Sequence, residues 1–251
     1  MIDRVTITGP DDSIKPADLI PLTEEFPFVE WGILVSAGNV GSPRFPSMKW
    51  MAEMRELQEE GGPLNHAHVS LHLCGRWVRK LLLGIVEIPT NDLPCHDRMQ
   101  LNFHAENTPC DPEGLCSALW QRFHPREFIF QIDGNGGNAH LDSLWDWMDK
   151  VNRRMSAVAL FDVSGGAGIL PREWPKPIWL KSDSQYAYHG YAGGLGPDNL
   201  AEQIPLILEA AGPNCPHIWI DMETKVRSGD DRQFDLSKVR KCLEIAQSYV
   251  K

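Results

Sequence analysis

Eight short runs rich in β-branched and aromatic residues punctuate the chain, at 4–8, 29–36, 68–74, 99–106, 128–133, 157–164, 186–191 and 217–223. Most of the gaps between them repeat apolar residues at helical spacing and predict helices over 16–26, 47–60, 76–83, 112–123, 141–153, 197–211 and 236–250. Proline at 112 and at 197 marks a first helical position, and Asp235 is placed to cap the last helix. Only the stretch 169–185 lacks a helical pattern; its prolines and tryptophans predict an irregular crossover. Strands alternating with helices imply βαβ units and a parallel sheet. Eight such units in 251 residues predict a closed (β/α)8 TIM barrel, a single domain over 1–251 with the helix after strand six reduced or missing. A doubly wound open sheet is the alternative, although no G-x-G-x-x-G follows the first strand.

Alternation within the runs separates two faces. Val5 and Ile7, Val69, Leu71 and Leu73, Leu101 and Phe103, Phe128 and Phe130, and Ile218 and Ile220 form an apolar set suited to the helix ring. The opposite set is polar: Thr6 and Thr8; Ser70, His72 and Cys74; Asn102, His104 and Glu106; Gln131 and Asp133; Asp162 and Ser164; Asp221 and Glu223. Strands buried on both faces normally read as continuous apolar runs. An inner set that becomes more ionisable toward the strand C-termini therefore points to a pocket at the end where barrel active sites lie.

Composition narrows the function classes. The chain is 42% hydrophobic with nine Trp and nine Phe, which excludes disorder. It carries 24 Lys+Arg against 34 Asp+Glu, a net charge of −10 without a basic stripe, so no nucleic-acid partner is expected. No apolar run is long enough for a membrane helix, and the segment Met-Ile-Asp-Arg-Val is not an export leader. Those features predict a cytoplasmic protein without membrane association, monomeric or homodimeric. The six cysteines show no zinc-ligand spacing and read as free thiols.

Glycine clusters follow strands six and seven: Ser164-Gly165-Gly166-Ala167-Gly168 and Ala192-Gly193-Gly194-Leu195-Gly196, the second leading into Pro197-Asp198-Asn199-Leu200. Glycine lets main-chain amides approach an anion closely, and a helix start adds free donors. Gly166, Gly168, Gly193 and Gly194 are thus candidate phosphate-binding residues, in the region where barrels commonly hold phosphate.

With these motifs in place, the chain resembles the phosphoribosylanthranilate isomerases of the ribulose-phosphate-binding barrel superfamily. Tyr191-Ala192-Gly193-Gly194-Leu195-Gly196-Pro197-Asp198-Asn199-Leu200 is similar to that family's S-G-G-L-x-P-E-N-V segment. Leu160-Phe161-Asp162 with Gly165-Gly166-Ala167-Gly168 and Trp174 is similar to its L-L-D, G-G-x-G and F-D-W elements. Ser42-Pro43-Arg44-Phe45-Pro46-Ser47, Val69-Ser70-Leu71-His72 and Ile220-Asp221 resemble its S-x-R-Y-I-S, V-Q-L-H and V-D. The resemblance implies an Amadori-type aldose–ketose isomerase acting on a small phosphorylated or anionic substrate with no metal or organic cofactor. It implies Asp162 as general acid, Asp221 and His72 in the substrate site, and Arg44 as the fork for a substrate carboxylate.

Two departures stand out. The family's K-I-C-G, whose cysteine is the general base, reads Thr6-Ile7-Thr8-Gly9, and Thr8 is not an unaided base. The strand-eight phosphate segment S-S-G-V-E reads Glu223-Thr224-Lys225-Val226-Arg227. His104 and Glu106 share a face and are candidate replacements for the base, and Asp133, of the same inward parity, is a candidate substrate-binding residue. The H-x-E of strand four and His72 also resemble ribulose-phosphate 3-epimerase, whose remaining metal ligands have no counterpart in this sequence, so a metal site is not expected. The sequence thus predicts a phosphosugar isomerase. The alternatives are a non-catalytic barrel that binds an anionic metabolite, or a metal-assisted epimerase, aldolase or lyase using His72, His104 and Glu106.

Overall fold

The computed structural model describes residues 1–88, 93–102, 111–122, 127–132, 156–162, 164–177, 179–180, 185–186 and 188–251. The predicted helix over 141–153, and with it His104, Glu106 and Asp133, lies outside the described residues. Eight parallel strands close a barrel: β1 (Ile2–Thr8), β2 (Val29–Ser36), β3 (His68–Cys74), β4 (Arg98–Asn102), β5 (Glu127–Ile132), β6 (Ser156–Asp162), β7 (His189–Ala192) and β8 (Ile218–Met222). Each pairs with its neighbours in chain order, and β8 pairs with β1 through Thr6 opposite Asp221 and Ile7 opposite Met222. The described helices are α1 (Ile20–Glu25), α2 (Met48–Leu57), α3 (Arg76–Leu81), α4 (Pro112–Arg122), α5 (Leu200–Ala211) and α6 (Leu236–Gln247), with a 3-10 turn at Pro16–Leu19 before α1. This is the (β/α)8 TIM barrel. Among the described residues no helix joins β6 to β7; that stretch carries a two-residue antiparallel ladder, Trp179–Leu180 with Gln185–Tyr186.

Local chemistry sets the helix starts. Ser47 caps α2, its hydroxyl accepting from the Trp50 amide, and the Asp235 carboxylate caps α6 by accepting from the Ser237 and Lys238 amides. Pro197 does not open a helix. It lies in a turn, and α5 starts three residues later with Asn199 as its cap residue. The turn is held by Asn199 itself, whose Oδ1 accepts from the Gly196 amide and whose Nδ2 donates to the Gly194 carbonyl. That side chain offers the backbone a local alternative to the helix.

Two apolar layers result from the alternation. The outer layer joins Val5, Ile7, Val69, Leu71, Phe128 and Ile220 to helix residues such as Met51, Leu115, Ile204 and Leu243. The inner layer is small: Ile129, Val158, Leu160, Ala192 and Trp219 fill the barrel itself. Gly190 makes room for this filling, since a Cβ there would sit 2.1 Å from the Trp219 ring. Below Trp219 the floor is ionic. Arg98 stacks over the indole at 4.1 Å and pairs with Glu30 (3.5 Å) and Glu127 (3.1 Å). Glu30 also accepts from Arg4 and from the Thr6 hydroxyl. With side chains filling the barrel at the bottom, the mouth at the top, where the strands' C-terminal ends converge, is where a barrel holds its site.

Candidate active site

A cavity of about 420 Å³ occupies that C-terminal mouth, lined from β2 round to β8 and the loops that follow them. Asp162, Asp221, Arg44, Gly166, Gly168, Gly193 and Gly194 all line it, so the structure brings these candidates together. Thr8 and His72 are buried beneath it, each 1% exposed. Glu223, Lys225, Gln100, Asn102, Gln131, Cys74 and Arg79 complete its polar wall.

The two aspartates meet different surroundings. Asp162, at the end of β6, accepts three hydrogen bonds: from Gln131 Nε2 (2.8 Å), the Ser164 hydroxyl (2.8 Å) and the Gly166 amide (2.6 Å). The amide of Gly166 is thereby committed to Asp162. Among the described residues Asp221, on β8, accepts a single side-chain bond, from the Thr8 hydroxyl at 2.7 Å. Burial pushes the Asp221 carboxyl well above the usual aspartate range; the charges of Glu223, Asp162 and Glu30 add to this, and Thr8 only partly opposes it. One carboxyl is therefore surrounded by donors, and the other is driven toward its neutral form.

The glycine turns pack against one another. Gly193 and Gly194 have φ of +113° and +67°, backbone that L side chains rarely adopt, and a Cβ on Gly194 would lie 2.6 Å from the Leu170 amide nitrogen. A Cβ on Gly168 would lie 2.9 Å from Thr224 in the next loop. These turns can form only with glycine, and they line the cavity with bare main chain. Lys225 packs its stem against Gly196 beside them and is exposed at its head.

An ion network locks the opposite rim. Arg44, in the β2–α2 loop, has a left-handed backbone (φ +75°) and places its NH1 2.5 Å from Glu223 and its Nε 2.6 Å from Asp231. The main-chain amide of Arg44 donates to Asp11, which also accepts from the Ser13 amide and hydroxyl and from Arg227 (2.5 Å). Arg227 in turn donates to the Gly9 carbonyl. The loops after β1, β2 and β8 are thus tied by two arginines and three carboxylates. Non-glycine residues in left-handed backbone cost free energy and persist only where their surroundings hold them. Burial raises the Glu223 carboxyl, as do Asp162 and Asp231, while Arg44 opposes the shift.

Apart from Arg79 and Lys225, both exposed, the remaining polar residues are uncharged. The Cys74 thiol is pushed up to about 12 by burial and by the charge of Glu223, so it is not a thiolate at neutral pH. Burial, with Arg98 nearby, brings His72 down to about 3, leaving a neutral imidazole. Gln100 shares the inward parity of Asn102, so reading the alternation one step further back along β4 finds it. Glu30 stands in an otherwise apolar run, whereas Arg98 lies two residues before Gln100 on the same parity; both are at the strand end remote from the mouth. Among the described residues no cluster of three metal-ligating side chains occurs, and no helix is long and apolar enough to cross a membrane.

No family model and no curated protein matches the chain by sequence. Among solved structures, the chain is similar to N-(5'-phosphoribosyl)anthranilate isomerase from Pyrococcus furiosus, with a TM-score of 0.53 and 15% identity over 98% of each chain. At that identity the likeness establishes the shared barrel fold.

Proposed function

We propose that this barrel isomerises a phosphorylated sugar, or its 1-amino derivative, by acid–base catalysis, with Asp221 as the acid and Asp162 as the base. The observation that carries this reading is the unequal treatment of two carboxyls within one pocket. Carboxyls placed in contrasting environments divide acid and base roles between them. A neutral Asp221 delivers its proton to the ring oxygen as the C1–O bond opens. The lone pair on the C1 oxygen closes a C1=O bond, the hydroxyl proton returning to Asp221, or that on a C1 nitrogen closes a C1=N bond. Asp162 then takes the C2 proton, and the C2–H electron pair forms the C1–C2 double bond. The C1=O or C1=N π pair moves onto oxygen, which takes a proton from Asp221, or onto nitrogen. Protonation at C1 and loss of the C2 hydroxyl proton leave the ketose, an isomer of the starting compound. The bare main chain of Gly168, Gly193 and Gly194, with Lys225 beside it, suits the phosphate. The fold neighbour's name, an isomerase of a phosphoribosyl compound, gives support at the level of analogy. A cytoplasmic protein acting on a small molecule, monomeric or homodimeric, belongs to the same proposal.

Incubation with ribose 5-phosphate and related phosphorylated aldoses in D2O, followed by NMR, tests this reading. Wild-type protein is expected to form a ketose that carries solvent deuterium at C1, and Asp162→Asn and Asp221→Asn to slow that exchange at least about 100-fold. Absence of exchange with every phosphorylated aldose overturns the isomerase reading. A second reading, binding of an anionic metabolite without turnover, is favoured by Thr8, whose hydroxyl is tied to Asp221 where the resembling family has a thiol base. A rise in Tm with phosphosugars but no exchange would select it.

A further inference from the structure

The half of the pocket away from the glycine turns is built from a directed chain of hydrogen bonds that ends in an unused acceptor. The Cys74 thiol donates to the His72 carbonyl (3.6 Å), which can only accept. The sulfur therefore accepts from Asn102 Nδ2 (3.4 Å), leaving Asn102 Oδ1 to accept from Gln100 Nε2 (2.8 Å). That direction fixes the Gln100 amide with its Oε1 free. Gln100 is 3% exposed and lines the cavity, and its Oε1 has no partner among the described residues. A buried acceptor without a donor is costly, so its persistence calls for a partner that arrives with a ligand or with water.

The charges on this side point the same way. Arg44 is occupied by Glu223 and Asp231, and Arg79 is exposed at the rim, where an ion pair is worth little. Cys74, Gln100, Asn102 and Gln131 are all uncharged. We infer that Gln100 is a specificity-determining residue that accepts a hydrogen bond from a substrate hydroxyl, so that the non-phosphate part of the substrate is a polyol chain rather than a carboxylated ring. This inference rests on the phosphosugar reading above and names the substrate class of that same pocket.

Titration calorimetry with ribitol 5-phosphate, pentyl phosphate, inorganic phosphate and unphosphorylated ribitol separates the possibilities. Wild-type protein should bind ribitol 5-phosphate more tightly than pentyl phosphate. Gln100→Met should weaken ribitol 5-phosphate about five- to tenfold, the value of one neutral hydrogen bond, and leave pentyl phosphate and inorganic phosphate unchanged. Should Gln100→Met not fold, Gln100→Asn, which withdraws the carbonyl by one methylene, must show the same selective loss. Equal affinity of variant and wild type for ribitol 5-phosphate, or no binding of any polyol, overturns the inference, and Oε1 then faces only an ordered water. If both phosphates fail to bind while ribitol binds in a Gln100-dependent manner, the phosphate part of the proposed function falls and the polyol assignment stands.

Discussion

The Thr8 hydroxyl donates to Asp221 at 2.7 Å, joining the first strand of the barrel to the last at the level of the pocket floor. The bond is buried and favours the charged carboxylate of a group whose surroundings favour the neutral acid. Thr8→Val removes the one side-chain hydroxyl among the described residues that lowers the Asp221 proton affinity. The variant is expected to lose about 1 kcal/mol of stability, the worth of a buried hydrogen bond. The alkaline limb of its pH–rate profile should also move upward. Denaturant unfolding and a pH series of the exchange rate measure the two effects.

Asp221 also predicts a trade between activity and stability. A carboxyl whose folded pKa lies above its unfolded value costs stability as pH rises from the unfolded value, 3.8, through the folded one. Asp221→Asn keeps an acceptor for Thr8 and removes that cost. The variant should therefore melt a few degrees above wild type at neutral pH, with the difference vanishing in acid, while its isomerase activity is lost. Scanning calorimetry at pH 4 and pH 7.5 checks the sign.

Asp11 behaves oppositely. Burial opposes its charge, but hydrogen bonds from Ser13, Arg44 and Arg227 outweigh burial and lower its pKa. Its contribution to stability is present above pH 3.8 and is lost as pH falls through the lowered folded value. Asp11→Ala leaves the buried Arg227 without its closest carboxylate and is expected to cost about 3–5 kcal/mol. The loops after β1, β2 and β8 should loosen first, as amide hydrogen exchange would show.

At the other end of the barrel, Arg98→Met removes a guanidinium that pairs with Glu30 and Glu127 and covers Trp219. Glu30 keeps Arg4 and Thr6 as partners, but Glu127 loses its closest cation. A loss of about 3 kcal/mol in denaturant unfolding is expected, without change in ligand affinity at the remote mouth.

Thiol chemistry gives a fifth check. Cys95 is exposed, whereas Cys74 is largely buried with a thiol pushed up to about 12. At pH 8 iodoacetamide should label Cys95 and spare Cys74, as peptide mass spectrometry would reveal. Rapid labelling of Cys74 would contradict its placement in the hydrogen-bond chain that leads to Gln100.

Much of this protein was decided by the order of its residues alone. The recurrence of β-rich runs between helical patterns determined the barrel, because periodicity is a local property that each segment carries by itself. The alternation Asn102, Gln131, Asp162, Asp221 determined which carboxyls and carboxamides face inward, since a strand has only two faces. Glycines at 193 and 194 determined that main chain would line one wall. What the sequence did not contain was the pairing of groups brought together from distant strands. Arg44 has the residue type to hold a ligand carboxylate, yet only the folded chain shows Glu223 and Asp231 already on its fork, 179 and 187 residues away. Thr8 reads as an inert substitution until closure of the barrel sets it against Asp221. Gln100 is an ordinary strand glutamine until Asn102 and Cys74 consume its donor side. Side-chain type and facing direction follow from the chain's local geometry, whereas proton affinity and hydrogen-bond satisfaction depend on neighbours that only closure of the barrel supplies.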